Sequence, residues 1–137
     1  MMAGIEELLA RARELQSKAH APYSGFRVGS ILETQDGVLH GGCNVENASL
    51  GLTLCAERGA VAAAIAAGDR TFRRLVLATD GDEAVPPCGA CREVLAEFCS
   101  DLHIVSVAGE SRKEWTLGEL LPHPFRLKSP RGLPPNA

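Results

Sequence analysis

The pattern of apolar and polar positions predicts four helices along the chain. In the first, Ile5, Leu8 and Leu9 share one face, and the following Pro22 lies in the loop that ends it. Gly68 is placed to cap the end of the second helix, whose side chains are mostly small. The predicted helices cover residues 4–20, 55–67, 88–99 and 116–121.

Short apolar runs bounded by turn residues predict four strands. The first two flank the turn residues Gln35, Asp36 and Gly37, which is typical of a hairpin. The other two, LVLAT and IVSVA, are apolar enough to be buried. Strands alternating with helices predict an α/β fold in two or three layers, with a partly parallel sheet. The predicted strands cover residues 26–33, 38–43, 73–80 and 103–108.

Length and composition are those of one ordinary domain. The chain has 137 residues, and 45% of them are hydrophobic, which is enough to form a core. We expect a single domain over residues 1–128. The remaining segment, 129–137, reads SPRGLPPNA and is expected to be a loose tail.

Charge and cysteine usage narrow the classes of partner and compartment. The net charge is −3 and the sequence pI about 5.8, which argues against a nucleic-acid polymer as partner. No apolar run approaches the length of a membrane span, and the N-terminus is a charged amphipathic pattern rather than a signal peptide. Five cysteines without such a signal indicate a reducing compartment, so we expect a cytoplasmic protein.

Three cysteines lie where predicted helices begin. Cys55 begins one helix, and Cys88 and Cys91 form a C-x-x-C pair at the start of another. The pair by itself is compatible with a redox dithiol or with part of a zinc site. Helix N-termini stabilise thiolates, which are the form that binds zinc. If the two helices run side by side, all three sulfurs can reach one metal ion.

Three protein ligands are typical of a catalytic zinc site, because the fourth position stays open for water. Glu57 is two residues after Cys55, about 200° around a regular helix, so both face one site only if Cys55 sits at the helix entry. A carboxylate placed there can carry protons. Three thiolates and Zn²⁺ leave one negative charge, which the helix N-termini and Arg58 could offset, with Arg92 as a second candidate.

Five segments of the chain resemble the small, homotetrameric, zinc-dependent cytidine deaminase family, in the family's order. The resemblance implies a three-layer α/β/α fold with a mixed sheet of about five strands. It also implies hydrolytic deamination of cytidine and deoxycytidine to uridine and deoxyuridine, with release of ammonia, as in pyrimidine salvage. The segments are APYSGFRVG at 21–29, GCNVENAS at 42–49, CAERGA at 55–60, PCGACREVLAEF at 87–98 and ELLPHPF at 119–125.

The resemblance assigns roles to residues of these segments. Zinc would be held by Cys55, Cys88 and Cys91, and Glu57 would carry protons between water and the pyrimidine. The remaining assignments concern the nucleoside: Asn44 and Glu46 on the ribose hydroxyls, Ala48 and Leu50 in the enclosing loop, the backbone of Ala56 on the pyrimidine, Phe26 on the base, and Phe125 stacking from a neighbouring subunit.

Two positions depart from the family's pattern. Leu50 stands where Tyr is frequent, so this part of the pocket wall is expected to pack differently. Glu93 stands where Gln is usual. A second carboxylate there could disturb the charge balance of the zinc site, or pair with Arg58 or Arg92.

Several alternatives remain open at this stage. Asn44 could cap a turn, and Phe26 could be a core residue of its strand. Within the same chemistry, a deaminase of the nucleoside antibiotic blasticidin S or of polynucleotides is a rival. A non-catalytic zinc module is another, and it would need a fourth ligand such as Cys43, Cys99 or His103.

Overall fold

The computed structural model describes residues 2–127. The four α-helices lie close to the predicted helices, with boundaries that differ by a few residues, and one 3₁₀ turn lies outside the predicted helices. None of these helices within residues 2–127 is both long and apolar enough to cross a membrane. The helices are α1 Ile5–Ser17, α2 Ala56–Ala66, α3 Gly89–Ala96 and α4 Leu117–Leu120, and the 3₁₀ turn is Leu50–Leu52.

The strands form one mixed five-stranded sheet in the order β2-β1-β3-β4-β5. The neighbours β3 and β4 are parallel and joined through α3, whereas the other three pairs are antiparallel. Gly37, at φ 86°, makes the turn of the β1–β2 hairpin. The strands are β1 Val28–Thr34, β2 Leu39–Cys43, β3 Phe72–Thr79, β4 His103–Ala108 and β5 Ser111–Thr116.

The sheet carries a hydrophobic core on each face. Successive strand residues point to opposite faces, so Ile31 packs with α1 while the adjacent Leu32 packs with α2 and α3. Leu8 of α1 and Leu95 of α3 are both buried, one in each core. The predicted α/β/α arrangement with a mixed five-stranded sheet is confirmed.

One strand, β5, was not among the strands predicted from the pattern. Half of its sequence, SRKEWT, is charged, and its side chains are exposed or only partly buried because it is an edge strand. Charged side chains are usual on such edges, where they discourage pairing with other chains. Two other predictions need adjustment: β1 begins at Val28 rather than Phe26, and α3 ends at Ala96. The expected loose tail at 129–137 lies outside the described residues.

The N-terminal turn of α2 lies directly against the hairpin. A Cβ atom on Gly42 of β2 would lie 2.3 Å from the carbonyl oxygen of Ala56 and 2.6 Å from the backbone nitrogen of Ala60. The hydroxyl of Ser30 in β1 donates to the same Ala56 carbonyl at 2.9 Å. These contacts set where α2 begins and therefore where Cys55 is held.

Candidate active site

The three cysteines of the two motifs meet at one point. Cys55 is the N-cap of α2 and Cys88 the N-cap of α3, and both have extended backbones before their helices. The Cys88 and Cys91 Sγ atoms are 3.4 Å apart, and those of Cys55 and Cys88 are 4.0 Å apart. All three sulfurs lie within 4.8 Å of one another. Two helix starts therefore converge on one site.

The spacing of the sulfurs fits a zinc ion. Two ligands on a tetrahedral zinc with bonds of about 2.3 Å are about 3.8 Å apart, close to the distances between these sulfurs. Within residues 2–127 no fourth Cys, His, Asp or Glu belongs to this cluster. Cys99, one proposed fourth ligand, instead donates to Asp101 Oδ1 at 3.1 Å. The donor set is thus three thiols, with no fourth protein ligand among the described residues.

Arg58 and the neighbouring thiols favour a thiolate at Cys55. A hydrogen bond from the Cys91 thiol and the guanidinium of Arg58 lower the pKa of Cys55 to about 5. The same hydrogen bond, together with burial, raises the pKa of Cys91. Arg58 Nη2 donates to Cys55 Sγ at 3.4 Å and to the Thr53 carbonyl at 3.2 Å.

Arg92, the second candidate for offsetting the negative charge of the thiolates, is directed away from the sulfurs. Its Nε donates to the Pro87 carbonyl at 2.8 Å, and its Nη1 donates to the Leu120 carbonyl at 3.2 Å. Arg92 therefore joins the segment before Cys88 to the end of α4 rather than compensating a sulfur. The reason is geometric, since position 92 faces α4 and not the sulfur cluster.

Glu57 lies beside the sulfurs in the first turn of α2. It is buried, with 5% of its surface exposed, and burial raises the pKa of its carboxyl. The extended backbone of Cys55 at the helix entry lets residues 55 and 57 reach the same pocket, although a regular helix would separate them. A buried carboxyl at a pocket wall is a group suited to proton transfer.

A pocket of about 360 Å³ opens over the sulfurs and Glu57. Its walls are mostly apolar with a few convergent polar groups, as in small-molecule sites. Seven of the twelve residues predicted for the site line it, while Arg58 and Cys91 lie beside it through their contacts with Cys55 and Cys88. The seven are Phe26, Asn44, Glu46, Cys55, Ala56, Glu57 and Cys88.

The side chain of Asn44 is held by the backbone entering β1. Its Oδ1 accepts the N–H of Val28 at 2.8 Å, and its Nδ2 donates to the Phe26 carbonyl at 2.8 Å. An amide has one further donor and one further acceptor position. Asn44 thus fastens the segment that carries Phe26 and retains some capacity for a ligand.

The carboxylate of Glu46 is held by the loop before Phe26. It accepts the N–H groups of Tyr23 and Ser24 at 2.9 and 3.1 Å and the Ser24 hydroxyl at 2.5 Å. The Ser24 hydroxyl is the largest cause of a lowered pKa at Glu46. The carboxylate is therefore kept charged and oriented at the pocket wall.

Three predicted substrate contacts do not line the pocket of their own chain. Ala48 is exposed, and Leu50 and Phe125 are 68% and 72% exposed. The backbone N–H of Phe125 donates to Glu93 Oε1 at 2.8 Å. Of the two possibilities raised for Glu93, pairing with Arg58 or Arg92 is not found within residues 2–127, where its carboxylate instead accepts the N–H of Phe125.

The sequence patterns missed half of the pocket wall. Ser24 and the residues before Cys88 lie within or beside motifs that were recognised, so proximity to Phe26 and Cys88 was an available signal. Residues from β3 had no such signal, since only the sheet order brings the end of this strand to the pocket. The missed residues are Ser24, Val28, Thr53, Leu77, Thr79, Val85 and Pro86.

Comparisons with known proteins agree on one family. A family model described as the cytidine and deoxycytidylate deaminase zinc-binding region matches residues 2–107. The cytidine deaminase of Sporosarcina psychrophila is 40% identical over 124 residues, covering 88% of this chain and 90% of that protein.

Two solved structures are similar in fold as well as in sequence. The crystal structure of cytidine deaminase from Burkholderia pseudomallei has a TM-score of 0.86 and 40% identity, covering 90% of this chain and 100% of that chain. The crystal structure of cytidine deaminase from Mycobacterium tuberculosis has a TM-score of 0.76 and 36% identity, covering 91% of this chain and 99% of that chain.

Proposed function

Since this chain belongs to the cytidine and deoxycytidylate deaminase family, we propose that it converts cytidine and deoxycytidine to uridine and deoxyuridine. Water is the second substrate and ammonia the second product. The observation that carries the proposal is one pocket wall shared by Cys55, Cys88 and the buried Glu57. A pocket with these groups, and with no Lys or Arg among the described residues that line it, suits a free nucleoside.

The thiols of Cys55, Cys88 and Cys91 hold the metal in this proposal. Zinc bound there supplies a Lewis acid that lowers the pKa of water and makes a nucleophile available near neutral pH. Arg58, 3.4 Å from Cys55 Sγ, and the N-termini of α2 and α3 offset the negative charge of the thiolates.

Glu57 moves the protons of the reaction. Its carboxylate takes one proton from the attacking water as the oxygen bonds to C4, and delivers that proton to N3 of the pyrimidine. It then passes the second proton to the amino nitrogen as the C4–N bond breaks. The nitrogen leaves as ammonia, C4 keeps the oxygen as a carbonyl, and N3 keeps its proton.

The other pocket residues bind and orient the nucleoside. Asn44 and Glu46 offer hydrogen bonds to the sugar hydroxyls, and Phe26 offers an aromatic face to the base. Ala56 is the first residue of α2, where backbone N–H groups have no partner within the helix. Its backbone is therefore available to the pyrimidine.

We propose that the chain acts as a homotetramer in which Phe125 of one subunit completes the pocket of another. Support comes from Phe125, which is exposed on its own chain and held in place by Glu93. Ala48 and Leu50 of the exposed 45–54 loop would then lie between the nucleoside and the neighbouring subunit. Light scattering should give a mass of four chains. Phe125→Ala should raise KM for the nucleoside. A monomeric protein, or a Phe125→Ala variant with a normal KM, would contradict the shared pocket.

A cytoplasmic location and a role in pyrimidine salvage are also part of the proposal. The three thiols must stay reduced to hold a metal, which a reducing compartment ensures. The five cysteines are free of disulfides. The substrates and products are free nucleosides, which are the compounds that salvage reactions recover.

The experiment is release of ammonia from cytidine, deoxycytidine, blasticidin S and a cytosine-containing single-stranded oligonucleotide, measured in parallel. We expect turnover of the first two alone. Turnover confined to blasticidin S or to the oligonucleotide would show that the proposed substrate is wrong, while hydrolytic deamination would still hold. No ammonia from any of the four, with one zinc bound per chain, would overturn the proposal.

A further inference from the structure

Ser24 joins two pocket residues that the proposed function places on different parts of the nucleoside. Its hydroxyl donates to Glu46 Oε2 at 2.5 Å and accepts the N–H of Phe26 at 3.0 Å. A hydroxyl has a single proton to donate. The proton of Ser24 is used on Glu46, so this residue lines the pocket without being free to donate to a ligand.

The carboxylate of Glu46 has little acceptor capacity left. An ionised carboxylate offers about four acceptor positions. Two on Oε1 are taken by the N–H groups of Tyr23 and Ser24, and one on Oε2 is taken by the Ser24 hydroxyl. One position therefore remains, on Oε2, and its direction depends on where the Ser24 hydroxyl lies.

The backbone of Phe26 is held on both sides by the same network. Its N–H bonds to Ser24 Oγ, and its carbonyl accepts from Asn44 Nδ2 at 2.8 Å. Gly25, between Ser24 and Phe26, adopts φ 70°, a conformation that favours glycine and allows the tight loop. Loss of the Ser24 hydroxyl would therefore loosen the sugar side and the base side of the pocket together.

We propose that Ser24 is a positioning residue for nucleoside binding, which aims Glu46 Oε2 at a single sugar hydroxyl and couples that contact to Phe26. This inference rests on the proposed function. Because three acceptor positions of Glu46 are occupied within the chain, its carboxylate can accept from one sugar hydroxyl and not from two vicinal ones. Because deoxycytidine, which lacks the 2′-hydroxyl, is also a proposed substrate, we place Glu46 on a hydroxyl that ribose and deoxyribose share.

The test compares Ser24→Ala with Ser24→Thr, which keeps the hydroxyl. For Ser24→Ala we expect KM to rise about tenfold, the scale of a lost hydrogen bond to a charged group, with kcat within about twofold of the parent. The rise should be similar for cytidine and deoxycytidine. Ser24→Thr should restore KM to within about threefold of the parent, since the donor is present again.

A matched control and a double mutant separate this role from general loop stability. Ser17→Ala makes the same change at an exposed helix position whose hydroxyl donates to the nearby Glu14 carbonyl, and it should leave KM unchanged. If Ser24 acts through Glu46, the effect of Ser24→Ala on KM should shrink to less than about threefold in a Glu46→Gln background.

The outcomes distinguish this inference from the proposed function. A parent protein inactive on both nucleosides would remove the function itself. An active parent in which Ser24→Ala behaves like Ser17→Ala, or in which the Ser24 and Glu46 effects add fully, would overturn the positioning role alone. A rise in KM for cytidine only would contradict the assignment of Glu46 to one hydroxyl shared by ribose and deoxyribose.

Discussion

At the residue scale, one backbone conformation decides the geometry of the site. Cys55 has φ −71° and ψ 153° just before α2, so its side chain does not follow the helical rotation. Glu57, two residues later, can then reach the same pocket from within the first turn. A ligand placed inside the helix would have pointed away from the carboxylate. In the C-A-E segment, Cys55 precedes α2 and Glu57 lies within it, and this difference lets both side chains reach one pocket.

Replacing Glu57 with Gln should remove the proton carrier and leave the metal in place. We expect kcat to fall by at least about a hundredfold, the low end for a lost acid–base group, with one zinc still bound per chain. Steady-state kinetics and metal analysis of the same sample check both parts. Glu97→Gln, the same change at an exposed position at the end of α3, is the control and should be fully active.

At the scale of elements, the site depends on how closely α2 lies on the β1–β2 hairpin. Gly42 permits this approach, because any side chain there would meet the backbone of Ala56 and Ala60. The Ser30 hydroxyl then holds the Ala56 carbonyl. The turn of α2 that carries Glu57 is thus positioned by backbone contacts with the sheet.

Gly42→Ala should separate α2 from the hairpin. We expect a loss of about 2 kcal/mol in the free energy of unfolding, as for other overpacked cores, together with a lower kcat. Urea unfolding and kinetics measure the two effects. The matched control is Gly4→Ala, outside the pocket, where an added Cβ meets no atom within 4 Å, and a similar loss there would contradict the explanation.

The loop entering β1 is held to the end of β3 by Asp80. Its carboxylate accepts from Gln16 Nε2 at 3.1 Å, and from the backbone N–H and guanidinium of Arg27 at 2.9 to 3.2 Å. These bonds lower the pKa of Asp80. Because Arg27 follows Phe26 directly, this contact also supports the pocket wall.

Asp80→Asn should weaken the fold in a pH-dependent way. A carboxyl whose pKa is lowered by folding contributes stability above its ordinary pKa, and that contribution is lost as pH falls through the lowered value. The parent should therefore be more stable than the variant at pH 7, by a few degrees in Tm, and the difference should narrow below pH 4. Asp82→Asn, at an exposed neighbouring position, should show no such trend.

At the scale of the whole molecule, the metal site joins two helices that pack on the same face of the sheet. Cys55 belongs to the start of α2, and Cys88 and Cys91 to the start of α3. A cation shared by these sulfurs connects two segments 33 residues apart in the chain. The metal therefore supports the fold as well as the chemistry.

Removal of zinc by a chelator should abolish deamination and lower Tm by several degrees. The stabilisation lost is that of a ligand which binds the native state more tightly than the unfolded chain. Addition of Zn²⁺ in excess of the chelator should restore both activity and Tm, whereas Mg²⁺ should restore neither, since it prefers oxygen ligands. Full activity in a zinc-free sample would contradict the assignment of the three thiols.

The sequence by itself determined the local structure and the chemical groups of the site. Periodicity predicted α1 to α4 and four of five strands, because hydrophobic spacing reports directly on helix and strand geometry. The missed strand, β5, is an edge strand in which only Ser111 and Trp115 are partly buried, so it shows no alternating apolar pattern. Cysteine spacing and motif order indicated the family, the three cysteines that meet at the site and the proposed proton carrier.

Only the tertiary structure decided which distant groups meet. The sulfurs converge because α2 and α3 pack side by side, and Leu77 and Thr79 reach the pocket because β3 lies at the centre of the sheet. The hydrogen bonds from Ser24 to Glu46 and from Phe125 to Glu93 follow from loop placement. Such contacts depend on distances between segments far apart in the chain, and local spacing carries no information about them.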